Sequence, residues 1–188
     1  MPDLATSNLL AAIGTVLLNI GVFKLLVAML WPESWFGRMA RTYMLRLGLW
    51  AAFGFALAGT IITLYYSEYL GATPCGLCWL QRIFLYPQVV LFAIAAWRKD
   101  TSVAVYSIAL SMIGAVIALY QHYLQMGGTL DVIPCPATGT AADCTARTFF
   151  EFGYITYPFM AFSLFVYLIL LMYFMHSSAR RSRMGENA

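Results

Sequence analysis

Two pairs of cysteines carry the chemistry that this sequence offers. Cys75 and Cys78 form a Cys-Gly-Leu-Cys motif, and Arg82 follows four residues after the second thiol. Cys135 and Cys144 form a second pair further along the chain. A short Cys-x-x-Cys ring is strained when it is oxidised, and strained, exposed disulfides are the labile ones. Two such pairs in one chain favour a relay that passes electrons between thiols.

Two other uses of the four cysteines stay open at this level. The pairs can be static structural bridges, although closing a ring as small as Cys75–Cys78 removes little chain entropy. They can also bind zinc as four thiolates, because Cys75 and Cys78 have the spacing of zinc ligands. Eight residues separate Cys135 from Cys144, which is too many for a zinc knuckle. We prefer the redox interpretation and predict no metal site.

The composition places these cysteines in a membrane protein. Of the 188 residues, 62% are hydrophobic and 10% are charged, and a soluble domain of this size cannot bury so much apolar surface. We therefore predict an all-α polytopic membrane protein with a single transmembrane domain over residues 1–188. Five windows are long enough to span a bilayer: residues 9–30, 47–66, 81–97, 103–120 and 154–175. The cysteines then fall in two outer loops, residues 67–80 and 123–153.

Local signals refine two of the connections. The first linker, Trp31–Arg46, carries Trp and Arg side chains and is predicted to lie along the membrane interface as an amphipathic turn or short helix. Thr73 and Pro74 predict that a helix starts at or just after Cys75. The Cys-x-x-Cys motif would then occupy a helix N-terminus, where unpaired backbone N–H groups favour thiolates.

The basic residues predict the orientation of the chain. They follow the first, third and fifth predicted spans, whereas the cysteine loops are mostly acidic. The cations that follow these three spans are Arg38, Arg41, Arg46, Arg98, Lys99, Arg180, Arg181 and Arg183. Because basic loops stay cytoplasmic, we expect the N-terminus and both cysteine loops on the extracytoplasmic face and the C-terminus in the cytoplasm. The basic tail is then an orientation signal, and we predict no nucleic-acid partner.

Two polar side chains near the outer boundary are candidates for binding an electron acceptor. Arg82 lies one turn beyond Cys78 on the same helical face, and it can donate to a carbonyl oxygen that becomes negative on reduction. His122, at about the same depth, can donate to a second carbonyl or carry a proton. A snorkelling arginine and an unliganded interfacial histidine are the simpler interpretations. Gln81 and Gln88 are interpreted as polar residues of helix packing.

The run from Cys75 to Arg82, Cys-Gly-Leu-Cys-Trp-Leu-Gln-Arg, resembles the DsbB family of membrane thiol:quinone oxidoreductases. Within it, the chain is similar to the short-loop branch called BdbC. The segments 120–125 and 144–153 are also similar to the family's segments around its second cysteine pair. The resemblance covers about Leu47–Met175 and implies a four-helix bundle core. The first predicted span is then one additional N-terminal transmembrane helix with an open role.

The resemblance implies a role for each cysteine. Cys135 would form the mixed disulfide with a DsbA-like thioredoxin-fold dithiol oxidase. Cys144, freed by that attack, would pass the reducing equivalents to the Cys75–Cys78 bridge by attacking Cys75. The protein would thereby sustain disulfide bond formation outside a bacterial or archaeal cytoplasmic membrane.

The resemblance also implies the electron acceptor. Cys78 would react with a membrane quinone, ubiquinone or menaquinone, that Arg82 and His122 hold. The protein would be a protein-dithiol:quinone oxidoreductase. A protein similar to vitamin-K-epoxide reductase is a competing enzyme, but there the loop pair normally precedes the Cys-x-x-Cys motif, and here it follows. A non-enzymatic membrane protein that binds metal through four thiolates is the other alternative.

Overall fold

A computed structural model describes residues 4–129, 143–147 and 149–186, with side chains up to Ala179. Within these ranges the chain folds into five long helices. They are α1 (Leu4–Leu30), α2 (Trp35–Leu64), α3 (Gly76–Arg98), α4 (Val103–Gln125) and α5 (Tyr157–Glu186). A five-residue π-helix, Tyr65–Tyr69, continues α2. The described residues contain no strand beyond an isolated bridge between Glu151 and Ile155, which confirms the all-α prediction.

All five helices are long and apolar enough to cross a bilayer. Their outer surfaces carry many large apolar side chains, among them Trp97, which is 84% exposed. Such a surface is stable in lipid, and helices satisfy their backbone polar groups internally. The prediction of a multi-pass helical membrane protein is confirmed.

The start of α2 differs from the sequence-based expectation. Residues 35–46 are not a separate interfacial segment, because α2 runs continuously from Trp35 to Leu64. Ser34 caps this helix, and its Oγ accepts a hydrogen bond of 3.0 Å from the backbone N–H of Gly37. No proline interrupts residues 35–64, so a capped helix propagates into the span.

The centre of the bundle is α5, which packs against α4, α2 and α1. Its side chains Phe165, Leu168 and Leu171 are almost completely buried. Helix α4 approaches closely because Gly114 lies directly against the Phe165 ring, and a Cβ atom at that position would collide with it. Small residues of this kind drive helix association where lipid replaces water.

One end of the bundle brings several segments together. The Tyr66 hydroxyl donates to Asn8 Oδ1 at 3.0 Å, which ties the π-helix to the first turns of α1. The Tyr66 ring also packs edge-on against Tyr157 at the start of α5, with 5.0 Å between centroids. The backbone N–H of Ala72 donates to the Tyr66 carbonyl at 2.9 Å. The loop that leads into α3 therefore lies at this end of the bundle, against the π-helix.

Candidate redox site

The first cysteine pair lies at the N-terminus of α3, as the sequence predicts. Cys75 is the N-cap residue, with extended backbone angles (φ −76°, ψ 174°), and Cys78 lies in the first turn. Both are free thiols, and their Sγ atoms are 3.1 Å apart. Cys75 is only 4% exposed. The first turn of a helix presents unpaired N–H groups and a positive dipole end, which favour a thiolate.

A buried glutamine, Gln121 of α4, contacts both sulfurs. Its Nε2 lies 3.1 Å from Cys75 Sγ and 3.3 Å from Cys78 Sγ. Its Oε1 accepts a 2.6 Å hydrogen bond from Gln81 Nε2. In this arrangement the Gln121 oxygen faces Gln81, and the Gln121 NH₂ group points at the two sulfurs. Gln81 and Gln121 together form what we call the amide pair.

Sequence reasoning missed this role. It interpreted Gln81 as a packing residue and gave Gln121 no function, although it singled out the neighbouring His122. The available signal was weak: Gln121 and Gln125 are four residues apart and therefore share one face at the end of an apolar helix. Only the packing of α3 against α4 shows that this face meets the thiols.

Arg82 lies one turn beyond Cys78 and is 8% exposed. Its Nη2 donates to the Thr63 carbonyl of α2 at 3.0 Å, and its guanidinium carbon lies 5.1 Å from the centre of the Trp79 ring. Both contacts are with neutral groups, so they leave the full positive charge beside the thiol pair. A desolvated guanidinium is costly in a membrane and is usually functional there.

The second cysteine pair is described in part. Cys144 is fully buried and belongs to the same apolar cluster as Cys75, Leu77 and Leu124. It is disulfide-bonded. The Gln125 side chain anchors this segment through a 3.1 Å bond to the Ala146 carbonyl. The predicted site residue Cys135 lies outside the described residues.

The sulfur chemistry of the two pairs differs in this state. A sulfur in a disulfide is not a thiolate ligand, so the bonded Cys144 does not favour the four-thiolate metal site. In the described part of the chain, no three side chains of His, Cys, Asp or Glu are grouped as metal ligands.

At the first pair, the hydrogen bond with Cys78 and then burial raise the pKa of Cys75 above its ordinary value. Cys75 therefore stays protonated, and its S–H donates a hydrogen bond to the Cys78 sulfur.

A large cavity of about 760 Å³ reaches the thiol pair. Its polar end includes Cys75, Cys78, Gln81, Arg82 and Gln121, and its remaining wall is mostly apolar and comes mainly from α1, α2, α5, the π-helix and the loop before α3. Pockets for organic ligands commonly have volumes of about 300–1,000 Å³ and combine an apolar lining with a few convergent polar groups. The cavity therefore suits an apolar ligand with one polar, electron-accepting end.

His122 lies elsewhere in the described structure. Its Nδ1 is 2.9 Å from the Thr156 hydroxyl, and its ring packs against Phe159 with 5.3 Å between centroids. It does not belong to the cavity lining. Neighbouring helix residues point about 100° apart, so His122 faces α5 while Gln121 faces α3. Binding of an acceptor by His122 stays a prediction.

Comparisons with known proteins agree with this site. A family model described as "Disulfide bond formation protein DsbB" matches residues 45–175. "Probable disulfide formation protein C 1" of Bacillus anthracis is 38% identical over 126 residues, which are 65% of this chain and 87% of the relative. "Disulfide bond formation protein C" of Bacillus subtilis is 36% identical over 126 residues, 66% of this chain and 88% of that protein.

"Probable disulfide formation protein" of Chlamydia trachomatis is 37% identical over 126 residues, which are 66% of this chain and 88% of that protein. No solved structure matches the chain. The family match contains the thiol pair, Arg82 and the amide pair, and it leaves out the whole of the first helix and the start of the second. A helical membrane protein with this cysteine geometry and these relatives belongs to the DsbB family of disulfide bond formation proteins.

Proposed function

We propose that this protein is a protein-dithiol:quinone oxidoreductase that reoxidises an extracytoplasmic thioredoxin-fold dithiol oxidase. The observation that carries the proposal is the position of the Cys75 and Cys78 thiols. They form the polar end of a mostly apolar cavity inside a membrane bundle, and they share a buried cluster with Cys144. A thiol partner from the aqueous side and an apolar oxidant from the lipid can thus reach one site from two directions.

The first half of the reaction is a pair of thiol–disulfide exchanges. A thiolate of the reduced partner attacks Cys135 of a Cys135–Cys144 disulfide, and Cys144 leaves as the thiolate. The second partner thiol then releases the oxidised partner. Cys144 next attacks Cys75 of an oxidised Cys75–Cys78 bridge, and Cys135 completes that exchange, so the first pair ends as a dithiol. The common buried cluster of Cys144 with the first cysteine pair supports an exchange between the two pairs, since exchange requires the sulfurs to approach one another.

The second half of the reaction oxidises the Cys75–Cys78 dithiol. A bound quinone takes two electrons and two protons from the Cys75–Cys78 dithiol and leaves as the quinol, while the disulfide re-forms. The protein's own groups prepare the sulfurs for this step. Cys75 keeps a proton and donates toward Cys78, and Gln121 donates to both sulfurs. Arg82 adds a positive charge one turn away, and charge-assisted donors of this kind stabilise an anion in a dry site.

The residues of the cavity fit a quinone. The Arg82 guanidinium is a donor at the end where the thiols lie, and a quinone carbonyl is an acceptor. The apolar remainder of the wall suits a ring and a hydrocarbon tail. Ubiquinone and menaquinone share these features, so the proposal covers both.

The test of the proposal is quinone-dependent oxidation of a thioredoxin-fold dithiol by the purified full chain. We expect one quinol for each partner dithiol that is oxidised. Cys78→Ser should lower the rate by at least about a thousandfold, the scale seen when a reacting nucleophile is removed. Cys135→Ser is the matched control: it should lose turnover with the protein partner but still pass electrons from dithiothreitol to the quinone. Retained turnover in Cys78→Ser would refute the proposal.

The orientation is part of the proposal. We infer that the thiol end faces outward, because the basic residues cluster at the start of α2, at the end of α3 and in the last turns of α5, which is the other end of the bundle, and basic segments stay cytoplasmic. An impermeant maleimide added to reduced, intact cells should label Cys135 without lysis. Labelling that requires lysis would contradict this orientation.

A further inference from the structure

Helix α1 lies outside the family match, which begins at residue 45, yet it forms part of the redox cavity. Six of its residues line the cavity: Ser7, Leu10, Ala11, Gly14, Thr15 and Leu18. Their spacing of three and four residues places them along a single face of the helix. The additional helix therefore presents one continuous side to the space in front of the thiol pair.

Contacts at the outer end fix α1 in this position. Asn8 accepts from the Tyr66 hydroxyl at 3.0 Å, and the Ser7 hydroxyl lies 3.4 Å from the Tyr65 hydroxyl. Along its length α1 packs mainly against α5 and only sparsely against α2. Gly21, for example, lies where a Cβ atom would be 3.4 Å from the Tyr167 ring. The cavity occupies the gap that this uneven packing leaves between α1 and α2.

The gap opens toward the lipid. Leu10 of α1 and Ile61 of α2 line the cavity and are 63% and 56% exposed. Gly14 marks open space within the wall, since a Cβ atom there would meet nothing within 4 Å. From Ser7 to Leu18 the lining face extends about 16 Å along the helix axis at 1.5 Å per residue. This distance is about half of the hydrocarbon thickness of a bilayer, roughly 30 Å.

We propose that α1 and α2 form the two walls of a slot that binds the prenyl tail of the quinone. The inference rests on the proposed function and assigns a role to the additional helix. The polar end with Cys78, Arg82 and Gln121 receives the ring, and the apolar face of α1 holds the first part of the tail. The cavity volume of about 760 Å³ provides room for both parts in one continuous space, and a tail enters sideways from the bilayer.

Gly14→Phe tests the slot, and Gly54→Phe is the matched control. Both glycines are exposed positions on membrane helices where a Cβ atom would meet nothing within 4 Å, so neither position is closed to a side chain at its Cβ. Gly14 lines the cavity, whereas Gly54 does not. The phenyl ring at position 14 fills the slot, while the ring at position 54 points into lipid.

The measurement is the KM of the full chain in nanodiscs for a long-tailed quinone and for the same ring without a tail. In Gly14→Phe we expect the KM for the long-tailed quinone to rise at least about tenfold, which corresponds to the lost burial of about two methylene groups. The KM for the tail-less quinone should stay within about twofold, as should both values in Gly54→Phe. Less long-tailed quinone should also copurify with Gly14→Phe.

The outcomes separate this inference from the proposed function. Equal effects on both quinones in Gly14→Phe, or no effect on either, would overturn the slot while leaving quinone reduction intact. If Gly14→Phe has either of these results and phospholipid is retained in the cavity, the gap binds a lipid acyl chain instead of the quinone tail. A wild-type protein that oxidises its partner with neither quinone would refute the proposed function itself, and the slot with it.

Discussion

Two glutamine clusters join α3 to α4, and they differ in where their hydrogen bonds end. In the middle of the bundle, the fully buried Gln88 donates to the Phe84 carbonyl and to the Ser111 hydroxyl. Its oxygen accepts from Ser107 at 2.7 Å and from Ser111 at 3.2 Å. Every bond of this cluster therefore ends on a group that does not react.

The amide pair lies two helical turns closer to the thiols. Gln81 is seven residues before Gln88, so both point to the same side of α3, about 10 Å apart along the axis. The chain of bonds here runs from Gln81 through Gln121 and ends on two sulfurs. Glutamines on the same two helices thus have two uses. In the mid-bundle cluster the amide N–H groups donate to a serine hydroxyl and a backbone carbonyl, whereas in the amide pair the last N–H groups donate to sulfurs. We expect the mid-bundle cluster to act on stability and the amide pair to act on rate.

The largest effect that separates the two clusters is expected at Gln121. Gln121→Leu should lower quinone-dependent turnover about a hundredfold, near the effect of removing one donor from a developing anion. The partner-thiol exchange at the second cysteine pair should change little. Stopped-flow measurement of quinol formation checks the rate. Gln81→Leu is the graded control, because it frees the Gln121 amide to rotate without removing it, and its loss should be smaller.

The thiol end should also respond to pH in a way that the mid-bundle cluster cannot. The raised pKa of Cys75 keeps this thiol protonated through the neutral range, so its alkylation should be slow at pH 7 and should accelerate at higher pH than that of an ordinary thiol. Because the hydrogen bond with Cys78 is the main cause, Cys78→Ala should shift the alkylation profile of Cys75 to lower pH. Mass spectrometry of iodoacetamide-treated protein measures both profiles, and an unshifted profile would contradict the assigned cause.

Gln88→Leu tests the other side of the comparison. It leaves the Ser107 and Ser111 hydroxyls without their buried partner, so we expect a loss of about 1–3 kcal/mol in the free energy of unfolding. Turnover per folded molecule should stay within about twofold of wild type, since interhelical polar contacts in membranes contribute modestly. Unfolding in mixed micelles gives the stability. A large loss of turnover with unchanged stability would show that the two clusters are not distinct.

The smallest effect is expected at His122. The His122 side chain contacts Thr156 and Phe159. We therefore expect His122→Ala to change the KM for the quinone by less than about threefold. This change is smaller than the loss of turnover expected in Gln121→Leu. The sequence-based role as a quinone ligand requires a loss comparable with that of Arg82→Ala, because both side chains would then hold the same ring. Steady-state kinetics of the two variants distinguish the possibilities.

Local patterns were sufficient for the helices and for the position of the thiols. Thr73 and Pro74 predicted the start of α3, and Cys75 is its N-cap. Long apolar windows predicted five spans, and five helices of suitable length and hydropathy are present in the described residues. The continuous α2 was missed because the Trp and Arg side chains of residues 31–46 look interfacial, whereas a capped helix continues through such residues when nothing breaks it.

The sequence by itself determined the kind of chemistry and its setting: two cysteine pairs, a basic group one turn from the second thiol, and enough apolar residues for a membrane bundle. Only the tertiary structure decided that Gln121 rather than His122 faces the sulfurs, and that α1 lines the cavity. The physical reason is that helical periodicity sets which residues share a face, but not which neighbour that face meets. The packing of each helix against its neighbours sets its rotation, and a rotation of about 100° places the next residue where its neighbour was.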